Sequence, residues 1–551
     1  MKIDTKEFFA DIYKNLPWPP TREERRAQDK DALNPLKVIL APTLMQALLF
    51  FSGFWAWTMD AYDFFSVSLV VNRLSEQFDG KSTSDITQAV TLTLLLRSVG
   101  ALIFGIISDR YGRKWPMVVN LIIIAALELG SGYVNTYSEF LAVRSLFGIG
   151  MGGIWGLSAA TGLESMPVYA RGFYSGILQQ GYAVGYLIAA VVNLTLVDNT
   201  DNWRNLFYLG AGLSLACAIF RAMLPETEFF KNVKATRANS KAREDSRTRV
   251  FIRELGTTMR EHWVRAIYAV LLMTGMNFFS KNCLEILIFC HSLTYSSNSY
   301  LQIKGHGSQD LYPTYLENAK LLSNHDASIA TIIGNCGAVA GGLIGGFVSQ
   351  FLGRRLTIII CCLWVGAWIP LWILPNSFGP LAGGAFALQM GVQGAFGVIP
   401  VYLQEISPPN IRAMWPGVAY QLGNMASSAS SQIESTAGEH LRTNYHGRNL
   451  PDYAKIQGIF IGVVAAWIMF WCLVGREYRG ATFYEGTGVE VSGDGATDGA
   501  GRGGEEKEKD IEAQRHNEKE LDVEENEVAA AEEKKHEEQD KRDEKKENDQ
   551  V

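Results

Sequence analysis

"GIISDRYGRK" at 105–114 and "GFVSQFLGRR" at 346–355 share a glycine at the first and eighth positions, a serine at the fourth and a basic pair at the close. A second pair repeats the spacing: "ESMPVYAR" at 164–171 and "EISPPNIR" at 405–412 both open on Glu and close on Arg. Each pair is separated by 241 residues. Two independent matches in one register are hard to obtain by chance, so the chain reads as a duplicated unit.

Apolar runs surround both copies. They fall near 42–68, 86–107, 115–134, 140–163, 173–195 and 205–224, then near 264–280, 326–349, 356–374, 380–403, 412–434 and 456–474. About 20 apolar residues cross a hydrocarbon layer about 30 Å thick. The pattern predicts an all-α membrane protein of twelve transmembrane helices in two pseudo-symmetric six-helix bundles. The segments are an N-terminal stretch (1–37), a first bundle (38–224), a basic loop (225–262), a second bundle (263–475) and a charged tail (476–551). A six-span unit repeated in parallel places a solute site near the midplane, between halves that rock about it.

Lys and Arg concentrate in the N-terminal stretch, in "DRYGRK", in the central loop and in "GRR" at 353–355. The positive-inside bias puts those segments and both termini in the cytoplasm. The opening "MKIDTKEFFADIYKNLPWPP" lacks an apolar core before a small-residue cleavage site, so no signal peptide is expected. The net charge of −7 sums two unlike regions, an apolar membrane part and a tail dominated by Glu, Lys and Asp. The seven cysteines have no metal-like spacing, and neither a disulfide framework nor a zinc site is expected.

"GIISDRYGRK" resembles the loop signature between the second and third spans of the major facilitator superfamily, and "RSLFGIGMGG" (144–153) resembles its fourth-span pattern of Arg followed by spaced glycines. The bland reading is solvated charge plus small-residue packing. Asp109, Arg110, Arg113, Arg144, Glu164, Arg171, Glu405 and Arg412 are assigned gating and structural roles. Gln350 replaces Asp109 in the second copy, so the second latch is expected to be weaker.

Arg97, in "TLTLLLRSVGALIFG", lies too deep to snorkel easily. A charge there costs about 2.5–3.5 kcal/mol on the insertion scale, so it faces a wet cavity or a partner. Its fork of donors suits a carboxylate. Substrate carboxylate is the favoured partner; the alternative is a structural ion pair with Asp60, Asp63 or Glu128.

"HGSQDLYPT" (306–314) resembles the seventh-span signature of the fungal lactate/carboxylate–proton symporters, a branch of the same superfamily. That signature reads Asn-x-x-Ser/Thr-His-x-Ser/Thr-Gln-Asp-x-x-x-Thr. In place, the upstream positions hold Gln302 and Gly305 and do not fit. Without 281–305 the join reads "NFFSHGSQDLYPT", and Asn277 and Ser280 complete the pattern. Residues 281–305 therefore read as a retained intron or an insertion, against the alternative of a genuine helix-interrupting loop. Codons compatible with the residues permit splice signals at both ends. Independently of them, polar backbone at membrane depth survives only where protein or water satisfies it, and this segment carries Lys281, Glu285 and Lys304.

The resemblance extends over nearly the whole membrane region, including "WTMDAYDFFSVSL" (57–69), "QQGYAVGYLIA" (179–189) and "AYQLGNMASSASSQIE" (419–434). It implies that Arg97, Asn277, His306, Gln309, Asp310, Gln421 and Asn424 serve binding or translocation. Gln421 and Asn424 lie one helical turn apart and can address one ligand; the alternative is interhelical glue. The expected activity is proton-coupled import of short monocarboxylates such as lactate and pyruvate, with acetate and propionate as further members of the class. Arg97 would pair with the carboxylate, and Asn277, Gln309, Gln421 and Asn424 would orient its other oxygens. His306 and Asp310 are the proton sites, with Asp60 and Asp63 as alternatives.

The rivals are a dicarboxylate (malate, succinate) symporter, a carboxylate sensor that does not transport, and a sugar carrier on fold alone. An enzyme is not expected, nor a cofactor beyond the coupling proton, a metal, or a nucleic-acid partner. The expected setting is the lipid bilayer of the plasma membrane, as a multi-pass monomer. Lysines of the central loop and tail are candidate acceptors for a ubiquitin ligase, and the tails are candidate sites for trafficking adaptors.

Overall fold

The structure is a computed structural model that describes residues 33–478, apart from 79–82, 198–199, 201, 240–246, 285–319, 321, 409–410, 429–440, 446–447 and 452, and also 16–17 and 19–20. The first half contains α1 (Leu44–Leu69), α2 (Thr83–Tyr111), α3 (Lys114–Tyr133), α4 (Tyr137–Leu163, with a turn at Gly153), α5 (Arg171–Val192) and α6 (Arg204–Met223). Two helices of the central loop follow, α7 (Glu228–Asn239) and α8 (Arg247–Glu261). The second half contains α9 (Trp263–Leu284), α10 (Asn324–Leu352), α11 (Arg354–Ile373), α12 (Phe378–Ile406), α13 (Met414–Ser427) and α14 (Tyr453–Val474). A short antiparallel hairpin, β1 (Arg442–Tyr445) with β2 (Arg448–Pro451), stands between α13 and α14.

Nine helices among the described residues are long and apolar enough to cross a membrane. The other three expected spans are α1, α9 and α13. Polar residues lower the hydropathy of α1, which buries Ser52, Thr58, Asp60, Asp63, Ser66 and Ser68. The apolar part of α9 is Trp263–Phe279, and the helix continues into the first residues of the anomalous segment before the description stops. Both α1 and α4 begin on reciprocal capping boxes, Thr43 with Gln46 and Thr136 with Glu139, which satisfy orphan N–H groups at the helix start.

The duplication is visible in the geometry. Gly112 (φ 110°) and Gly353 (φ 95°), 241 residues apart, make the same left-handed turn between consecutive spans. Beyond each, an arginine folds back. Arg113 grips Glu164 through Nε and Nη2 (3.2 and 2.8 Å) and donates Nη1 to the Ser108 carbonyl. Arg354 grips Glu405 the same way (3.0 and 2.9 Å) and donates Nη1 to the Ser349 hydroxyl. A second acid, just beyond the last span of each bundle, closes each turn. The Glu226 carboxylate accepts from the N–H groups of Arg113 and Lys114, each at 3.1 Å, and Glu477 accepts from those of Arg354 and Arg355, also at 3.1 Å. Carboxylates at helix N-termini complement the macrodipole. Burial pushes the Glu477 carboxyl above its ordinary range, against those two backbone hydrogen bonds.

The halves meet at this latch end. Asp109 crosses from α2 and accepts from the N–H groups of Ala413 and Met414 (3.0 and 2.9 Å), at the start of α13. Gln350, its counterpart, accepts from Arg354 of its own half at 3.4 Å, and its amide nitrogen has no partner. An ionised acceptor at a helix N-terminus makes stronger bonds than a neutral amide. Ser175 of α5 adds another link. Its hydroxyl donates to the Gly397 carbonyl (2.7 Å) and accepts from the Val401 N–H (3.0 Å), entering the helical ladder of α12 beside Pro400.

A side chain at either left-handed glycine is strained by about 1–2 kcal/mol. A Cβ at Gly112 would stand 2.2 Å from a Glu226 oxygen, whereas at Gly353 the nearest atom is 3.2 Å away. Gly112→Ala is therefore expected to lower the thermal unfolding midpoint of the solubilised protein more than Gly353→Ala does. Equal shifts would show that the Glu226 contact adds nothing to the backbone term.

Candidate functional site

Arg97 sits in α2 and is 2% exposed. Its Nη2 donates to the Asp60 carboxylate of α1 at 2.5 Å and touches the Met151 sulfur of α4 at 3.4 Å; its guanidinium lies 5.4 Å from the Phe64 ring centre. The pair is incompletely satisfied. Arg97 Nε and Asp60 Oδ1 are buried without hydrogen-bond partners. The structure thus places Asp60 beside Arg97, and the guanidinium is held by an acid of its own bundle.

A polar and aromatic shell from both halves surrounds the pair. Tyr420 of α13 stacks on Trp155 of α4, with ring centres 4.3 Å apart and planes 12° from parallel. Trp57 of α1 meets Tyr420 edge to face at 6.0 Å. The Tyr420 side chain lies within electrostatic reach of Arg97, Asp60, Asn424 and Gln179. Trp155 Nε1 donates to Gln179 Oε1 at 3.3 Å. Gln421 and Asn424 do share one face of α13, but they are bonded to each other: Asn424 Nδ2 donates to Gln421 Oε1 at 3.1 Å, leaving Gln421 Nε2 without a partner. Asn277 of α9 donates to the Tyr420 carbonyl at 3.2 Å, which is interhelical glue in this state.

Asp63 and Arg144 belong to a second buried cluster. Arg144 Nη1 donates to Glu128 of α3 at 2.8 Å, and Nη2 to the Asp63 carbonyl at 3.3 Å. The Asp63 carboxylate accepts from Ser214 of α6 at 3.2 Å. Arg144 therefore lies inside the first bundle, near the start of α4, not among the charges of the latch. Asp60, Asp63 and Glu128 each keep one buried oxygen without a partner. Three carboxylates stand against two guanidiniums in this core. The 241-residue register puts Ala338, Ile369 and Ala385 of the second half at the places of Arg97, Glu128 and Arg144.

The remaining expected residues divide by location. Asp109, Arg113, Glu164 and Glu405 are buried in the latch. Arg171 donates to the Met166 carbonyl at 3.1 Å, Arg412 lies 5.2 Å from the Phe229 ring centre, and Arg110 lies 5.0 Å from that of Tyr111. His306, Gln309 and Asp310, with the anomalous segment beyond Leu284 and the charged tail from 479, lie outside the described residues. Sequence reasoning missed Trp155, Gln179 and Tyr420. "QQGYAVGY" and "AYQLGN" contain two of them, but an aromatic or amide facing the opposite bundle has no signature distinct from helix packing.

The chain matches the family model described as "Sugar (and other) transporter" over residues 43–266 and 274–433. It is 32% identical over 459 residues to a carboxylic acid transporter protein homolog of Saccharomyces cerevisiae, covering 81% of this chain and 70% of the yeast protein. A probable 4-methylmuconolactone transporter of Cupriavidus pinatubonensis is 24% identical over 436 residues, covering 78% of this chain and 90% of that protein. Among solved structures, the proton:xylose symporter XylE, of the major facilitator superfamily, aligns with a TM-score of 0.58 and 18% identity over 80% of this chain and 98% of its own. That likeness establishes the fold. These proteins are transporters, in agreement with the expectation that the chain is not an enzyme.

Removing one partner of a buried ion pair costs about 3–5 kcal/mol, and removing both costs much less. Arg144→Gln is expected to destabilise the first bundle strongly, and adding Glu128→Gln to restore much of the loss. Thermal unfolding of both variants checks this; a double variant as unstable as the single one would deny that the two side chains compensate each other.

Proposed function

The chain belongs to the sugar (and other) transporter family of the major facilitator superfamily, and on that footing we propose that it is a proton-coupled importer of short monocarboxylates. Lactate and pyruvate are the proposed main substrates, with acetate and propionate as smaller members of the class. The observation that carries the reading is the Arg97–Asp60 pair, one guanidinium claimed by one acid beside a shell contributed by both bundles. A substrate carboxylate and Asp60 compete for the same donors. Protonating Asp60 releases Arg97, which then accepts the anion. Proton and substrate therefore load together, because an anion at Arg97 with Asp60 still ionised would set two acids on one guanidinium. One proton with one monoanion moves no net charge, which avoids about 2.3 kcal/mol per 100 mV for each uncompensated charge.

Gln421, Asn424, Gln179 and Tyr420 would take the hydroxyl or keto oxygen, and Asn277 would hold the α9–α13 contact as the halves move. Gln309 is the proposed further substrate ligand from span seven, with His306 and Asp310 as additional proton acceptors there. Asp63, in the cluster with Glu128 and Arg144, is a second store for the proton. Monocarboxylates are favoured over dicarboxylates because the other deep guanidinium, Arg144, is engaged by Glu128 and the Asp63 carbonyl. The proposed carrier is a monomer of the plasma membrane with its latch end and both termini in the cytoplasm, where lysines of the central loop and tail would receive ubiquitin.

Raising the outside pH ionises Asp60, ties up Arg97 and lowers uptake. Asp60→Asn is expected to keep lactate exchange in counterflow but to lose its pH dependence and proton-driven accumulation. Arg97→Ala is expected to lose both activities at normal surface level. Accumulation that survives Asp60→Asn would remove the competition between acid and substrate, and absence of counterflow in the unmodified chain would favour a sensor.

Residues 281–305 interrupt the span-seven pattern and are proposed to be an intron or insertion absent from the active carrier. A chain lacking them should take up lactate faster per molecule at the surface than the full chain. Transcripts that all retain the segment, together with lower uptake by the shortened chain, would refute this.

A further inference from the structure

Where α2 ends and α7 begins, a cavity of about 150 Å³ is lined by Arg110, Tyr111, Phe230 and Lys234. Two cations and two aromatic rings share it. Its surroundings are those of a membrane–water boundary: Tyr111, Trp115 and Met223 are 63%, 60% and 78% exposed at the latch ends of α2, α3 and α6. Aromatic rings and basic side chains collect at that depth, where headgroups lie. Lys114, 5.2 Å from the Trp115 ring centre, and the exposed Lys231 add positive charge nearby. Three acids stand close in the chain: Asp109, which accepts from the N–H groups of Ala413 and Met414, Glu228 at the start of α7, and Glu226. The Glu226 oxygens accept from the N–H groups of Arg113, Lys114 and Thr227, so that acid faces the turn.

We propose that this groove binds an anionic phospholipid whose headgroup carries a phosphate monoester, with Arg110 and Lys234 on the phosphate and Tyr111 and Phe230 against the glycerol region. The charge match is direct, a dianion facing two cations. Basic pockets at helix ends select such headgroups over zwitterionic ones, each Lys or Arg contributing about 1 kcal/mol. The site also lies on the element that spans the two halves. On α7, Phe230 packs under Arg113 of the first half (5.5 Å), while Phe229 packs against Arg412 of the second (5.2 Å). A headgroup joining Arg110 of α2 to Lys234 of α7 would hold α7 in this position and favour the latched state. The inference is independent of which solute is carried.

Binding of short-chain phosphatidylinositol 4-phosphate to the solubilised full chain tests it, with short-chain phosphatidylcholine, inositol 1,4-bisphosphate and inorganic phosphate as the other arms. Saturable binding of the anionic lipid is expected, about five-fold weaker for Lys234→Gln and about twenty-five-fold weaker for Arg110→Gln with Lys234→Gln. Lys455→Gln, at the opposite end of the bundle, should bind as the unmodified chain does. If Arg110→Gln fails to fold, Lys234→Gln and Lys234→Glu carry the test alone. Affinity unmoved by the Lys234 substitutions, or equal for phosphatidylcholine, overturns the site. Soluble bisphosphate or phosphate binding as tightly as the lipid overturns the membrane assignment in favour of a free anion.

Discussion

A charge sunk in a bundle of apolar helices must find a counter-charge within reach, and the rest of this structure is arranged around that requirement. Arg97 with Asp60, Arg144 with Glu128, Arg113 with Asp109 and Glu164, and Arg354 with Glu405 are all buried pairs. Apart from Arg113 with Asp109, four residues apart across one turn, each ties one span to another. Breaking such a pair leaves a desolvated charge, so the pairs specify how spans pack even where their net contribution to stability is small. The same property makes them switchable. A proton or a competing carboxylate changes the sum by a full charge, and the packing has to answer.

The duplication separates the structural use of this constraint from the transport use. Both halves keep the left-handed glycine, the Arg–Glu grip and the second acid that closes the turn. Only the first half carries deep charges at the three places where the second has Ala338, Ile369 and Ala385. Selection for a fold alone would treat both copies alike. At these three places the asymmetry fits a shared scaffold to which the first half adds charge. The crossing contacts are unequal for a similar reason: Asp109 reaches α13 as an ionised acceptor, while Gln350 bonds within its own half.

Much of this was legible in the chain. The 241-residue register marked out the two bundles and the residues of the paired turns, because these recur as spaced patterns, but it did not say that Arg113 and Arg354 grip Glu164 and Glu405. The depth of Arg97 was equally plain from its apolar flanks. Its partner was not: Asp60, Asp63 and Glu128 are all acids on spans of the same bundle, and which one meets Arg97 depends on helix rotation. Glu226 and Glu477 escaped notice because they follow the sixth and twelfth spans at a separation of 251 residues, outside the register of the other pairs. The Trp155–Tyr420 stack was invisible for a different reason, since helix periodicity tells which residues share a face but not what stands opposite.

The charge balance of the first bundle bears on where the proposed proton resides between cycles. With Asp60, Asp63 and Glu128 all ionised against Arg97 and Arg144, the core would hold one uncompensated negative charge, and each of its acids already has an oxygen without a partner. A low-dielectric interior does not tolerate that excess at modest cost. One shared proton removes it and leaves two neutral pairs. In the proposed cycle, arrival of a substrate anion at Arg97 would call for a second proton or for Asp60 to release Arg97, and either event would link the anion to the proton gradient. In that cycle coupling needs no dedicated relay: it would follow from burying three acids and two bases together and from the cargo being a fourth acid.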